Sequence, residues 1–162
     1  MFHESPEFIK HLDRWLDMSE QPDAKFLNSN KTKIPQMFRQ YTKPLYRGLV
    51  LNQVELTKYQ KTGQLTLPKH TSWSKDKKIA IKFVDDPQYK ISAGGSIKLI
   101  LTKSFTPANI ILDINALFLF YGQTKMIQLG IDDMSADSAM KEQEVLITSG
   151  IKIIPSETEL WF

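Results

Sequence analysis

Three short segments of the sequence carry polar side chains that could do chemistry. In the first, Arg47 lies in an otherwise apolar run, Leu-Tyr-Arg-Gly-Leu. Arginines in apolar surroundings are uncommon and usually have an anionic partner. Gly48, directly after it, allows a ligand to approach the backbone closely. Taken alone, the pair is also explained by a salt bridge at a strand end beside a turn glycine.

The second segment, residues 70–76, places the hydroxyl groups of Ser72 and Ser74 on either side of Trp73. Ser74 is explained as the N-cap of a following helix. Ser72 has no such local explanation, although taken alone it is consistent with a solvated hydroxyl at a strand end. His70, which begins the segment, is interpreted as incidental.

The third segment contains Glu142 and Glu144 ahead of an apolar run, Val-Leu-Ile. Carboxylates at positions i and i+2 of a strand project from the same face. Their charges repel, which raises the pKa of one of them unless a cation or a ligand lies between them. An exposed polar face at the start of a strand is the alternative interpretation.

The composition excludes other kinds of chemistry. Among 162 residues there is no cysteine, and the histidines are too widely scattered for a zinc-binding helix, so we expect no metal site and no thiol chemistry. The formal charge of +3, from 21 basic and 18 acidic residues, is too small to indicate nucleic-acid binding. We interpret one group of lysines as the solvated face of a helix: Lys75, Lys77, Lys78 and Lys82.

The sequence also lacks signals for export or for a membrane. Its first residues contain neither the basic nor the apolar segment of a secretion signal. The longest uncharged stretch, residues 114–124, is shorter than the roughly 20 residues that cross a bilayer, so we predict a core segment there. We therefore expect a soluble, cytoplasmic protein without a membrane partner.

The elements that must position the three segments begin with helices. Residues 1–43 are predicted to be mainly helical, with Ser5 as N-cap and Pro6 in the first turn. Residues 20–23 are predicted to end the first helix, residues 28–32 to form a loop, and a short second helix to follow Pro35. Apolar side chains are predicted to face inward at Phe8, Ile9, Leu12, Trp15 and Leu16, and then at Met37, Phe38 and Tyr41.

Short strands dominate from residue 45 onward, so we predict an α+β fold in a single domain over residues 1–162. Helices are predicted before Gly63 and after Ser74, the latter with Ile79, Ala80 and Phe83 inside. The sheet core, residues 44–162, is predicted to be mainly antiparallel. The predicted strands are residues 45–51, 96–101 and 109–114, with a turn at 93–95, and residues 65–73 are predicted to be a strand or an extended run. A final hairpin of residues 142–148 and 151–154 is predicted to turn at Ser149-Gly150.

Together, Arg47, the run Ser72-Trp73-Ser74 and the run Glu142-x-Glu144 resemble the Arg–Ser–Glu signature of mono-ADP-ribosyltransferases. Ser72 follows Arg47 by 25 residues and Glu144 follows Ser72 by 72, which fits the family's order and spacing. The resemblance covers residues 44–154. Trp73 stands where the family most often has threonine. The resemblance implies an ADP-ribosyltransferase-like fold of split, mainly antiparallel β-sheets. Residues 1–43 match no motif of the family, and we interpret them as a helical cap over the cofactor cleft or as a surface for a partner.

The resemblance also implies a reaction, the transfer of ADP-ribose from NAD to a protein side chain with release of nicotinamide. Glu144 would stabilise the positive charge that develops on the ribose, and Ser72 would orient Glu144. Arg47 would pair with the NAD phosphates, and the backbone of Gly48 would hold the nicotinamide carboxamide. Glu142 would act on the acceptor. A glutamate at this position, in place of glutamine, is similar to the branch of the family that modifies arginine. No metal is needed.

Further cofactor contacts are implied at Ser74 and at an aromatic platform for nicotinamide. The candidates are Trp73, Phe83 and Tyr89, although each is also explained as a core residue. Residues 130–140 are acidic and rich in small side chains, so we expect a mobile segment there. The resemblance implies that this segment recognises the acceptor protein.

The small size resembles that of compact enzymes carried by bacteriophages, which modify host transcription or translation proteins in the host cytoplasm. We expect this protein to be such an enzyme and to be a monomer. A fragment of a secreted bacterial toxin is the alternative that we favour less. Two other functions stay open. They are an NAD glycohydrolase, with water as acceptor, and a catalytically inactive binding module with the same fold.

Overall fold

The computed structural model describes residues 1–87 and 97–161. Tyr89 and the turn predicted at residues 93–95 lie outside the described residues. The helices are α1 (Pro6–Met18), α2 (Gln21–Ser29), α3 (Gln53–Thr62), α4 (Lys77–Val84), α5 (Ile114–Tyr121), α6 (Gln123–Leu129) and α7 (Asp133–Glu142). The strands are β1 (Leu45–Leu51), β2 (Leu65–Leu67), β3 (Thr71–Ser74), β4 (Ile97–Lys103), β5 (Ile110–Leu112), β6 (Glu144–Ile147), β7 (Ile151–Ile153) and β8 (Thr158–Trp161).

Six of these strands form one antiparallel sheet in the order β5-β6-β3-β1-β4-β8, and β2 pairs with β7 in a separate sheet. The predicted α+β class with a mainly antiparallel sheet is confirmed. The predicted final hairpin is wrong, because β6 pairs with β3 and β5 whereas β7 pairs with β2. Gly150, at a φ of 78°, turns the chain between the two sheets, and its N–H donates to Leu67 O.

The N-terminal helix forms as predicted. Ser5 Oγ accepts a hydrogen bond from Phe8 N at 3.2 Å, and Pro6 occupies the first turn. The predicted stripe is buried except for Leu16, which is partly exposed. The first helix ends at Met18, close to the predicted end at residues 20–23, but a second helix that was not predicted, α2, begins at Gln21 with Pro22 in its first turn. Proline lacks only an N–H that would be unpaired there, so it starts a helix as readily as it ends one.

The segment after α2 is less helical than predicted. Beyond Pro35 there is only a single 3₁₀ turn, Gln36–Phe38. Phe38 is buried, as predicted, whereas Met37 is 47% exposed, so its inward orientation is wrong. The predicted strand at residues 109–114 is also shorter, because Asp113 accepts a hydrogen bond from Ala116 N and starts α5.

The apolar core lies on both faces of the large sheet. On one face, α1 and α2 pack with α5, α6 and α7 against β5 and β6. On the other face, the two-stranded sheet covers Trp73 and its neighbours on β1, β4 and β6. The uncharged stretch at residues 114–124 forms α5 and the start of α6, and Leu117 and Phe118 are buried there. In the parts of the chain that the structure describes, no helix is long and apolar enough to cross a membrane.

A partly buried ion pair joins the β3–α4 corner to the start of α5. Lys75 Nζ lies 2.9 Å from Asp113 Oδ2 and 3.0 Å from Asn115 Oδ1. It also lies 4.6 Å from the ring centre of Tyr41. Because the side chain of Lys75 is only 14% exposed, its interpretation as a solvated lysine is wrong. Lys77, two residues later, makes an exposed pair with Glu159.

Replacing Lys75 should therefore cost far more stability than replacing Lys77. Lys75→Met leaves Asp113 buried without its cation, and we expect it to lower the free energy of unfolding by about 3 kcal/mol. Lys77→Met breaks only the exposed pair and should cost less than about 1 kcal/mol. Urea denaturation of both variants measures the difference. Equal losses would show that Lys75 does not fasten this corner.

Candidate active site

The predicted site residues meet in one cleft. It lies between β1, β3 and α4 on one side and the end of α1, the start of α2 and the end of α7 on the other. Its volume of about 660 Å³ is within the range of small-molecule sites. The predicted residues that line it are Arg47, Gly48, Ser72, Trp73, Ser74, Phe83, Glu142 and Glu144.

Ser72 and Glu144 are joined by a hydrogen bond across the sheet. β3 and β6 are neighbouring antiparallel strands, with Ser74 opposite Glu144 and Ser72 opposite Leu146. Ser72 and Ser74 therefore share a face of β3, and Trp73 points to the other face. Ser72 Oγ donates to Glu144 Oε2 at 2.5 Å. The structure thus brings together the serine and the carboxylate that the sequence analysis paired.

A second donor to the same carboxylate comes from the N-terminal helix. The indole N–H of Trp15, on α1, donates to Glu144 Oε2 at 2.7 Å, and Trp15 is 2% exposed. Sequence analysis placed Trp15 only in the apolar stripe and missed this contact. The available signal was general, namely that a buried indole N–H needs a partner.

Arg47 connects β1 to β3 beside the cleft. Its Nη1 donates to Ser72 O at 2.7 Å. The two strands pair at Tyr46 and Ser74, at the start of β1. The guanidinium therefore lies at the cleft wall, next to the residue that holds the carboxylate.

Gly48 is required by helix packing. A Cβ added there would lie 2.4 Å from Ala80 O and 2.6 Å from Val84 Cγ1. The element that approaches the glycine closely is therefore α4, which packs its backbone against β1. The sequence analysis explained the glycine by close approach of a ligand, whereas these contacts explain it by close approach of α4. Gly48 nevertheless lines the cleft.

The two glutamates of the third segment lie on different elements. Glu142 is the last residue of α7, Gln143 has a φ of 49°, and Glu144 begins β6. The prediction that both carboxylates project from one strand is therefore wrong, because the left-handed residue between them breaks the period of two. Both side chains nevertheless line the cleft.

Ser74 fixes the position of this corner. Its Oγ donates to Glu142 O at 2.7 Å and accepts from Asp76 N at 3.0 Å. The N-cap of α4 is Asp76, whose Oδ1 accepts from Lys78 N, so the prediction of Ser74 as N-cap is wrong. Ser74 instead fastens the end of α7 to β3.

The aromatic candidates differ in exposure. Trp73 is 2% exposed and packs edge-on against Phe105 at 4.9 Å, and its indole N–H donates to Thr71 Oγ1. Its interpretation as a core residue is confirmed. Phe83 is 44% exposed at the cleft, so its predicted place inside the fold is wrong and it stays a candidate platform.

His70 and Gln21 lie at the α2 end of the cleft. The Gln21 amide holds the backbone of His70 through two hydrogen bonds, and His70 Nδ1 accepts from Ser149 N at 2.9 Å. Burial lowers the pKa of His70, and the charge of Lys31 lowers it further. The ring is therefore neutral near pH 7, with its proton on Nε2. Sequence analysis did not single out Gln21.

Residues 130–140 belong to a packed helix for most of their length. α7 begins at Asp133, and Asp132 caps it by accepting from Met134 N and Ser135 N. Ala136 and Ala139 are buried against the helical core. The predicted mobile segment is therefore wrong, because the small side chains allow close helix packing.

The electrostatics of the site centre on Glu144, which is 7% exposed. Burial raises the pKa of Glu144, and the hydrogen bonds from Ser72 and Trp15 lower it. The charge of Glu142 raises this pKa and the charge of Arg47 lowers it. Partial burial also raises the pKa of Glu142, against the charge of Lys82. Both described hydrogen bonds to Glu144 end on Oε2, which leaves Oε1 for a ligand.

No protein-family model matches the chain, and comparisons with curated proteins and with solved structures found no match. Among the residues that the structure describes, no group of three or more His, Cys, Asp or Glu side chains could hold a metal ion. The site must therefore be interpreted from its own geometry.

Glu144→Gln should stabilise the protein at neutral pH. Because burial holds the pKa of Glu144 above its ordinary value, the ionised form costs the folded state stability, and an amide removes that cost. We expect the free energy of unfolding to rise by about 1–2 kcal/mol near pH 7. The gain should vanish as the pH falls below the ordinary glutamate pKa, where the wild-type carboxyl is protonated in both states.

Urea denaturation at about pH 7 and about pH 4 measures this difference. Glu159→Gln is the matched control, because Glu159 is half-exposed and its ion pair within the described residues is with the exposed Lys77. It should change stability little at either pH. A loss of stability in Glu144→Gln at neutral pH would contradict the expected cost of the buried charge.

Proposed function

We propose that the protein is an NAD-dependent mono-ADP-ribosyltransferase, which moves ADP-ribose from NAD to a side chain of a target protein and releases nicotinamide. One observation carries the proposal. Arg47, Ser72 and Glu144 are far apart in sequence but line one cleft, where Arg47 donates to the Ser72 carbonyl and the Ser72 hydroxyl donates to Glu144. Their order and spacing are those of the Arg–Ser–Glu signature.

The reaction breaks the bond between the nicotinamide nitrogen and the ribose carbon. The electron pair of that bond neutralises the cationic pyridinium ring, so nicotinamide leaves without needing a proton. Positive charge develops on the ribose instead. A fixed carboxylate in a poorly solvated site stabilises such charge strongly. Glu144, buried and held by two donors, is suited to this role.

The other residues of the cleft would bind NAD. The Arg47 guanidinium, which offers planar pairs of N–H donors, would pair with the phosphates. The backbone of Gly48, beside it on β1, would hold the nicotinamide carboxamide. Phe83 presents an exposed ring at the cleft, and a cationic pyridinium is attracted to an aromatic face.

Glu142 would act on the acceptor. It lies at the cleft two residues before Glu144 and is open to solvent, where an acceptor side chain can reach it. Its raised pKa suits a general base, because a stronger base takes a proton more readily. It would receive the proton that an arginine guanidinium loses when its nitrogen bonds to the ribose.

Activity should depend on Glu144 beyond any effect on folding. With labelled NAD and a bacterial lysate, we expect the wild-type protein to label specific protein bands. Glu144→Gln should reduce labelling at least about a hundredfold, because it removes the charge that stabilises the transition state. Glu159→Gln, an exposed charge loss on β8, is the control and should label normally.

The same assay separates the alternatives. Nicotinamide release without labelled protein would identify an NAD glycohydrolase, and neither product would identify an inactive binding module. Equal labelling by the wild type and Glu144→Gln would overturn the site assignment.

Glu142→Gln should affect transfer more than NAD cleavage. Because Glu142 is assigned to the acceptor, its loss should reduce protein labelling by about tenfold or more while nicotinamide release changes less. Measuring both products in one reaction gives their ratio. A proportional loss of both would place Glu142 in the cleavage step instead.

A further inference from the structure

The N-terminal helix contributes directly to the carboxylate at the centre of the cleft. Trp15, in the last turns of α1, lies 129 residues from Glu144 in sequence and donates its indole N–H to Glu144 Oε2 at 2.7 Å. Both residues are buried, at 2% and 7% exposure. The contact is therefore a hydrogen bond to a carboxylate shielded from water, where such bonds are stronger than in solvent.

The two donors to Glu144 converge on one of its oxygens. Ser72 Oγ and the Trp15 indole both donate to Oε2, from β3 and from α1 respectively. Two donors from different elements fix the position of Oε2 and restrict rotation of the carboxylate. Neither of them occupies Oε1, which belongs to a side chain that lines the cleft.

Packing alone does not account for this use of tryptophan. A phenylalanine would fill an apolar position in α1 without a polar atom, whereas a buried indole N–H must find an acceptor. The other buried indole, that of Trp73, donates to the neutral hydroxyl of Thr71 on its own strand. Only the indole of Trp15, of these two, is directed at a charged group.

We propose that Trp15 is a positioning residue, which anchors Glu144 through Oε2 so that Oε1 faces the bound substrate. This role rests on the proposed function. It also gives residues 1–43 a role, because helix α1 supplies one of the residues that line the cleft. This agrees with the interpretation of residues 1–43 as a cap over the cleft.

The charged groups around Glu144 bear on how the proposal is tested. Glu142 raises the pKa of Glu144, Arg47 lowers it, and the two hydrogen-bond donors, Ser72 and Trp15, lower it. Trp15→Phe removes one donor and keeps an aromatic ring in the core. The pKa of Glu144 should therefore rise in that variant, with the other three groups unchanged.

An NMR titration tests this without any need for turnover. The ¹³C carboxyl signal of Glu144 should titrate at a higher pH in Trp15→Phe than in the wild type. Trp161→Phe, which removes a partly buried indole on β8 that does not line the cleft, should leave the midpoint unchanged. An unchanged midpoint in Trp15→Phe would overturn the proposal.

The wild-type protein provides a second measurement that does not depend on the variant folding. The indole N–H signal of Trp15 should shift with the same midpoint as the Glu144 carboxyl, because protonation weakens the hydrogen bond between them. An indole signal that does not respond to this titration would also overturn the proposal.

Turnover distinguishes positioning from binding. For nicotinamide release from NAD, Trp15→Phe should lower kcat about tenfold and leave KM for NAD within about twofold, because the hydrogen bond acts on the carboxylate rather than on substrate binding. Trp161→Phe should change neither constant. A higher KM with unchanged kcat would contradict the positioning role. If the wild type releases no nicotinamide, the proposed function fails, and the positioning role fails with it whatever the titration shows.

Discussion

The buried carboxylate of Glu144 is the group on which the rest of the site depends. A carboxylate removed from water stays ionised only if donors or cations compensate for the lost hydration. Here the donors come from Ser72 on β3 and Trp15 on α1, with Arg47 nearby. The sheet order that places β3 beside β6, and the helical core that packs α1 on the side of β6, are therefore both needed to hold this one carboxylate in place.

Close packing at two corners gives the cleft its walls. Gly48 lets α4 approach β1, which places the exposed ring of Phe83 at the cleft. Lys75 and Asp113 join the following corner to α5, and Ser74 holds the end of α7 beside it. These contacts are structural, yet each one sets the position of an element that carries a candidate site residue. Stability and site geometry are thus provided by the same interactions.

Local signals predicted much of this arrangement, whereas contacts between distant segments could not be predicted. The capped α1 and the apolar β1 follow from residue order alone, as do the three segments that meet in the cleft. The Trp15 hydrogen bond was missed because its acceptor lies 129 residues away. The left-handed Gln143, which separates the two glutamates, has no residue-type signal, since asparagine or glycine is the usual choice there.

Titrating NAD into ¹⁵N-labelled protein tests most directly whether this cleft is an NAD site. If it is, the backbone amide signals of Arg47, Gly48, Ser72 and Glu144 should shift together and saturate at one affinity. Signals of α3, which lies outside the cleft, should stay unchanged. Shifts confined to other parts of the protein, or no shifts at saturating NAD, would contradict the proposed function.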